Sequence, residues 1–330
     1  MEFTYNNVND QFAGMFDMFH TYGEEVETRN GRALRIPEPV ITHIMFPTER
    51  VLFHQGRDAN PIFHLFESLW MLAGSKLVEP LSRFNSRIHQ YSDDGEVFNG
   101  AYGYRMRNHF GGDQLLGVID TLSEDPNSRQ AVIQLWDAED LRKSTLDKCC
   151  NTQLVFEVRD GRLNMTTFNR SNDGWWGYAG ANAVHFTVIM QFIAEALKLE
   201  VGRYTTVSTN LHLYLDLYDA NNYLENPPSE DDFYFDYDQV EPYDLLQGVP
   251  YRVFLEDCQR LMHPAPKLDA IHSPFIRHTM YPMMEVAFAR KRGSDGRTSA
   301  RFIHAGDWRE ATFKYIQNRE AAKEAKSNEG

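Results

Sequence analysis

The run "TQLVFEVRDGRLNMTTFNRS" (Thr152–Ser171) constrains this chain of 330 residues more than any other. Apolar and polar residues alternate on both sides of Asp160-Gly161, a dipeptide that accepts the positive φ angles of a two-residue turn. The run therefore predicts an antiparallel hairpin. A hairpin returns the chain toward its start, so "NRSND" (Asn169–Asp173) should arrive beside "KCC" (Lys148–Cys150), which leads into it. "SRQAVIQLWD" (Ser128–Asp137) reads as a further strand. "NPIFHLFESLWMLAGS" (Asn60–Ser75) carries apolar residues at helical spacing and predicts a buried helix closed by Gly74. "ANAVHFTVIMQFIAEALKLEVG" (Ala181–Gly202) predicts a long apolar helix ended at Gly202, and "LHLYLDLYDANNYLE" the start of another. Such irregular interleaving favours one mixed α+β domain over a doubly wound parallel sheet.

That domain is expected to span residues 1–330. The acidic, proline-punctuated segment Glu225–Asp244 reads as a surface excursion, and the tail as an amphipathic helix fraying into disorder from about residue 320. A formal charge of −14 argues against affinity for duplex nucleic acid or an anionic membrane. A small anion remains open as a ligand where a few arginines converge. The apolar runs are too short to span a bilayer. Three cysteines build no disulfide framework and no basic-then-apolar leader opens the chain, so a cytoplasmic setting is expected.

Two of the three cysteines are adjacent, Cys149 and Cys150. Paired metal ligands usually have a spacer, and neighbours on an extended segment point to opposite faces, so no metal is expected. A vicinal disulfide needs a strained peptide. Two small core side chains are the plain reading. The alternative is that one thiol is reactive, which requires a nearby cation, and the hairpin offers Arg170 for that place.

The residues resemble those of the thymidylate synthase family, including its pyrimidine hydroxymethylases. The resemblance rests on "CN" at Cys150, "VRDGRL", "NRSND", the following "WG" and "NA", and "LHLY". It extends through "ETRNGR" (Glu27–Arg32), "ESLWMLAGS", "FNGAYGYRMR" and "DPNSRQAVIQLWD", and so covers most of the chain up to Tyr214. The family's spacing back from Val158-Arg159-Asp160-Gly161 puts its nucleophile at Cys150 and leaves Cys149 structural. The resemblance implies a thymidylate synthase-like domain, with a large twisted mixed sheet flanked by helices and one sheet face forming a homodimer interface. It implies 5,10-methylenetetrahydrofolate as co-substrate and a pyrimidine nucleoside monophosphate as substrate.

Under that resemblance Cys150 attacks carbon 6 of the base, making carbon 5 nucleophilic, and Glu67 moves protons through bound water. Glu67 stands among Phe63, Phe66, Leu69 and Trp70, where a carboxylate without a role is costly. Phosphate falls to Arg29, Arg170 and, across the dimer, Arg129, with Ser171 adding a hydroxyl. Gln130 stands where the family has a second arginine, removing one expected contact. His212 and Tyr214 face the sugar, and Asp173 organises the folate site. Asn182 (Ala181 in an ungapped reading) addresses the base and favours uracil over cytosine. His89 takes the one-carbon-pocket place of a family tryptophan. With the polar ending "KEAKSNEG", it favours capture of the one-carbon unit by water, hence hydroxymethyl rather than methyl. A thymidylate synthase, a cytidylate hydroxymethylase and a non-catalytic nucleotide- or RNA-binding relative remain the alternatives. Asn151, in place of the histidine of housekeeping relatives, gives the last its foothold.

Overall fold

The computed structural model describes residues 1–28, 30–216, 220–226, 228, 234 and 243–328. The chain opens with β1 (Glu2–Tyr5), α1 (Val8–Tyr22), β2 (Glu24–Thr28), β3 (Gly31–Arg35) and β4 (Val40–Ile44). There follow α2 (Pro61–Leu72), α3 (Gln114–Glu124), β5 (Val132–Gln134), β6 (Asn151–Arg159), β7 (Arg162–Asn169) and the short β8 (Asn172–Asp173). Helix α4 (Ala181–Leu197) leads to β9 (Glu200–Ser208) and β10 (Leu211–Tyr214), and α5 (Tyr251–Leu261), α6 (Tyr281–Lys291) and α7 (Gly306–Asn328) close the chain.

A six-stranded sheet runs β1-β4-β9-β7-β6-β5, and a four-stranded one runs β2-β3-β10-β8. Parallel pairs β1/β4 and β7/β9 sit among antiparallel neighbours, so the large sheet is mixed. With helices packed against it, this is the expected α+β architecture. The predicted hairpin is β6–β7. Asp160 and Gly161 have φ of 51° and 75°, and Arg159 pairs with Arg162 across them. At the open end Asn151 faces Asn169, and the Arg170 N–H donates to the Cys150 carbonyl at 3.0 Å.

Helix α2 starts where Asn60 accepts from the Phe63 N–H and Pro61 fits the first turn, and Gly74 follows its end with φ +68°. Every residue of α2 is buried except Glu67. Gly103 is required by close approach: a Cβ there lies 2.2 Å from the Met71 carbonyl oxygen, at the end of the same helix.

Two expectations are corrected. Helix α4 ends at Lys198, which adopts the left-handed conformation (φ 58°), not at Gly202. Pairing of β9 with β7, starting with Glu200 N–H to the Gly161 carbonyl, draws the chain into the sheet before that glycine. "LHLY" is strand β10 rather than a helix start, because Leu211 and Leu213 are buried at a period of two while it pairs with β3 and β8. The helix in that segment is Ala220–Glu225. Most of Glu225–Asp244 lies outside the described residues. Helix α7 continues past the expected fray, to Asn328.

One buried ion pair fixes the ground beneath the cysteines. The Arg105 guanidinium donates to both carboxylate oxygens of Asp140 at 2.7 Å, and to the carbonyls of Asn99 and Leu135, with both side chains 2% exposed. It ties the Asn99–Arg105 segment to the stretch entering Cys149. Removing one member leaves a buried charge uncompensated, so Asp140→Ala is expected to lower stability by about 3–5 kcal/mol in urea denaturation.

Candidate active site

The adjacent cysteines point apart, as an extended segment demands. Cys149 is buried (1% exposed), its thiol donates to the Gly100 carbonyl at 3.3 Å, and burial pushes its pKa up to about 12. Cys150 is half-buried and opens onto the wall shared by two chambers of about 820 and 620 Å³. Its N–H donates to the Tyr102 hydroxyl at 3.3 Å. Arg170 Nη2 lies 3.9 Å from its Sγ. That guanidinium is held in place, donating to the Cys149 carbonyl at 2.8 Å and the Lys148 carbonyl at 3.2 Å and lying 5.3 Å over the Trp136 ring. A fixed cation beside a thiol favours the thiolate.

The larger chamber is basic. Arg35, Lys143, Lys148 and Arg170 line it, with hydroxyls from Ser171, Thr28 and Thr145. This donor set suits a phosphate. The smaller chamber has an apolar wall of Phe63, Ile88, Tyr91 and Trp176, and polar groups from Glu67, Arg87, Asp173 and Asn182. A flat heteroaromatic ring with polar edges fits such a wall.

Glu67, the unburied position of α2, faces this smaller chamber with its side chain 19% exposed. His185, buried on α4, brings Nε2 within 3.2 Å of Glu67 Oε2, close enough for charge pairing but not aligned as a hydrogen bond. Asp173 accepts from the Trp175 and Trp176 N–H groups at 2.7 Å and so caps the turn Gly174–Tyr178, while burial raises its pKa. It serves the turn and lines the chamber at once. On β10, His212 and Tyr214 share a face with rings 5.0 Å apart, and Asn30 donates to the Tyr214 hydroxyl at 3.1 Å. Asn182 and Ala181, the two registers for a base-reading residue, both line the smaller chamber in the first turn of α4.

Some expected residues are elsewhere. His89 is exposed and lines neither chamber; its Nδ1 sits 2.8 Å from the Ser86 carbonyl, turned away by the short helix Ile88–Tyr91, while Ile88 and Gln90 face inward. The water-access argument built on His89 therefore falls. Arg129 and Gln130 are exposed, outside both chambers. Asn151 is buried and donates to the Asn169 side chain across the hairpin. Arg29 lies outside the described residues. Arg35, Asp147 and His185 were missed. Asp147 is a carboxyl three residues before Cys150, and His185 follows the expected Asn182 by three residues on α4; Arg35 arrives from a distant element.

The pattern of the thymidylate synthase family matches residues 58–232. The chain is 41% identical over 322 residues to a protein of Pseudomonas phage M6 named deoxyuridylate hydroxymethyltransferase, covering 92% of this chain and 90% of that one. Proteins of the same name from Bacillus phage SP01 and Delftia phage PhiW-14 are 38% and 32% identical, over 62% and 61% of this chain and 57% and 58% of their own. The chain belongs to the thymidylate synthase family, whose members are folate-dependent transferases acting on pyrimidine monophosphates. Among the described residues no helix is long and apolar enough to cross a membrane.

The two thiols should separate chemically. With iodoacetamide at about pH 8, intact mass is expected to show one modification of the folded protein, lost in Cys150→Ser and retained in Cys149→Ala. Modification of Cys149 in the folded wild type contradicts this site.

Proposed function

We propose that the chain is a deoxyuridylate hydroxymethyltransferase, acting as one catalytic unit in a homodimer in the cytoplasm of a phage-infected cell. The observation that carries this is the Cys150 thiol, set 3.9 Å from Arg170 on the wall common to a basic chamber and an aromatic one. The product assignment follows the named relatives.

The larger chamber takes the 5′-phosphate through Arg170, Ser171 and Arg35; the family resemblance adds Arg29, and Arg129 from a second copy. His212 and Tyr214 hold the deoxyribose. Asn182 donates to and accepts from the uracil edge, which a carbonyl-only or amino-only partner does not match. Cys150 adds to carbon 6, and carbon 5 becomes enolate-like and able to form a carbon–carbon bond. Methylenetetrahydrofolate, when bound against Trp176 and Asp173, supplies the electrophilic carbon. Glu67 takes the carbon-5 proton through water. The donor leaves, so carbon 5 bears an exocyclic methylene. Water adds its oxygen there, and the electron pair passes through the ring and expels the Cys150 thiolate. No metal takes part in this scheme.

Incubation with dUMP and methylenetetrahydrofolate is expected to give a nucleotide one oxygen heavier than thymidylate, with no dihydrofolate absorbance. Thymidylate with dihydrofolate contradicts the proposal, as does turnover confined to dCMP or CMP. Arg170→Ala is expected to reduce kcat/KM by about 10²-fold, since it removes both a phosphate fork and the thiol's neighbouring cation.

A further inference from the structure

A hydroxymethylase has one step that a methylase lacks: a water molecule must be held beside carbon 5 and give up a proton as its oxygen bonds to carbon. Glu67 already serves the carbon-5 proton and faces His185. Of the other two carboxyls at the smaller chamber, Asp173 caps the turn Gly174–Tyr178 and Asp147 lies on the wall that contains the nucleophile. Asp147 lines both chambers, as Cys150 does, three residues upstream of it.

Its position is fixed by hydrogen bonds. Asp147 Oδ2 accepts the Gly100 N–H at 2.8 Å, its carbonyl accepts from Asn99 Nδ2 at 3.1 Å, and its own N–H donates to Thr145 Oγ1 at 3.2 Å. Gly100 belongs to the segment that the buried Arg105–Asp140 pair fastens. Oδ1 has no hydrogen-bond partner among the described residues; it packs beside Gly100, on a residue that lines both chambers. Anchoring Gly100 needs one acceptor oxygen, which a serine, asparagine or backbone carbonyl supplies equally well; the second oxygen is unexplained by the fold. Burial raises the pKa of this carboxyl; the Gly100 N–H bond and the Arg105 charge oppose the shift, and the charges of Asp93 and Glu67 add to it, with a net rise that makes it a stronger base than a solvated aspartate.

We propose that Asp147 binds the capturing water through Oδ1 and takes its proton as the C–O bond forms. The proposal rests on the hydroxymethylase reading. In the step, the water oxygen bonds to the exocyclic carbon and one O–H bond breaks with its proton passing to Asp147. The methylene π pair moves into the ring, and the Cys150–carbon 6 bond breaks to return the thiolate. Nothing is oxidised or reduced. Two carboxyls then divide two proton removals, one from carbon 5 and one from water.

The test uses Asp147→Asn, whose amide oxygen still accepts from Gly100, and Asp147→Ser as a second variant of the same design. Each is assayed in the full chain with dUMP and methylenetetrahydrofolate, with and without 2-mercaptoethanol as an alternative trap for the exocyclic carbon. Both variants are expected to form the covalent complex with 5-fluoro-dUMP and folate as the wild type does. Hydroxymethyl nucleotide is expected to fall by about 10²-fold, with the thioether product of 2-mercaptoethanol rising in its place. Wild-type hydroxymethylation in either folded variant overturns the assignment, and so does loss of the 5-fluoro-dUMP complex in a variant with unchanged melting temperature, because Asp147 then acts earlier or only structurally. Wild-type enzyme is measured first: absence of any hydroxymethyl nucleotide from it removes the function reading itself, whereas its presence beside an unaffected variant removes only Asp147.

Discussion

The hydrogen bond from the Arg170 N–H to the Cys150 carbonyl is the contact on which the site depends. It exists because Asp160 and Gly161 both accept positive φ, which gives a two-residue turn and starts the pairing of β6 with β7, and because a one-residue register shift between Asn151 and Gln153 then brings Asn151 opposite Asn169. Slip that pairing by one residue and the side chains of one strand change faces, taking the thiol or the guanidinium out of the chamber. The turn at the far end of the hairpin and the register shift beside Asn151 together decide the electrostatics at its mouth.

The surroundings convert that proximity into a defined orientation. Backbone carbonyls of residues 148 and 149 hold the guanidinium, and the buried Arg105–Asp140 pair holds the loop that faces them. Helix α2 presents a single unburied position, and it is a carboxylate facing the same cavity. A helix otherwise sealed in the core is a rigid carrier for such a group, which suits proton transfer over short distances.

What the sequence made legible was local or periodic. The hairpin and the buried helix within Asn60–Ser75 follow from the spacing of one chain segment each, whereas the choice of Cys150 over Cys149 came from the family resemblance, the spacing alone leaving both thiols open. What it hid depended on competition between elements. Gly202 looks like a helix terminus, but sheet pairing claims the chain first, at Lys198. "LHLY" fits either period over so short a run, and its pairing with β3 and β8 settles it. His89 was placed by a family position, yet a turn of short helix rotates it outward. Arg35 reaches the basic chamber because β3 lies beside β10, opposite His212, which no single-segment pattern records. Arg129 stands apart from both chambers within one copy of the chain.

The central claim is that the sulfur of residue 150 bonds to a pyrimidine ring, and peptide mapping of the inhibited protein tests it most directly. After incubation with 5-fluoro-dUMP and methylenetetrahydrofolate, proteolysis and fragmentation should place the nucleotide–folate mass on Cys150 alone. The same mass on Cys149, or no adduct on a folded protein, contradicts the account.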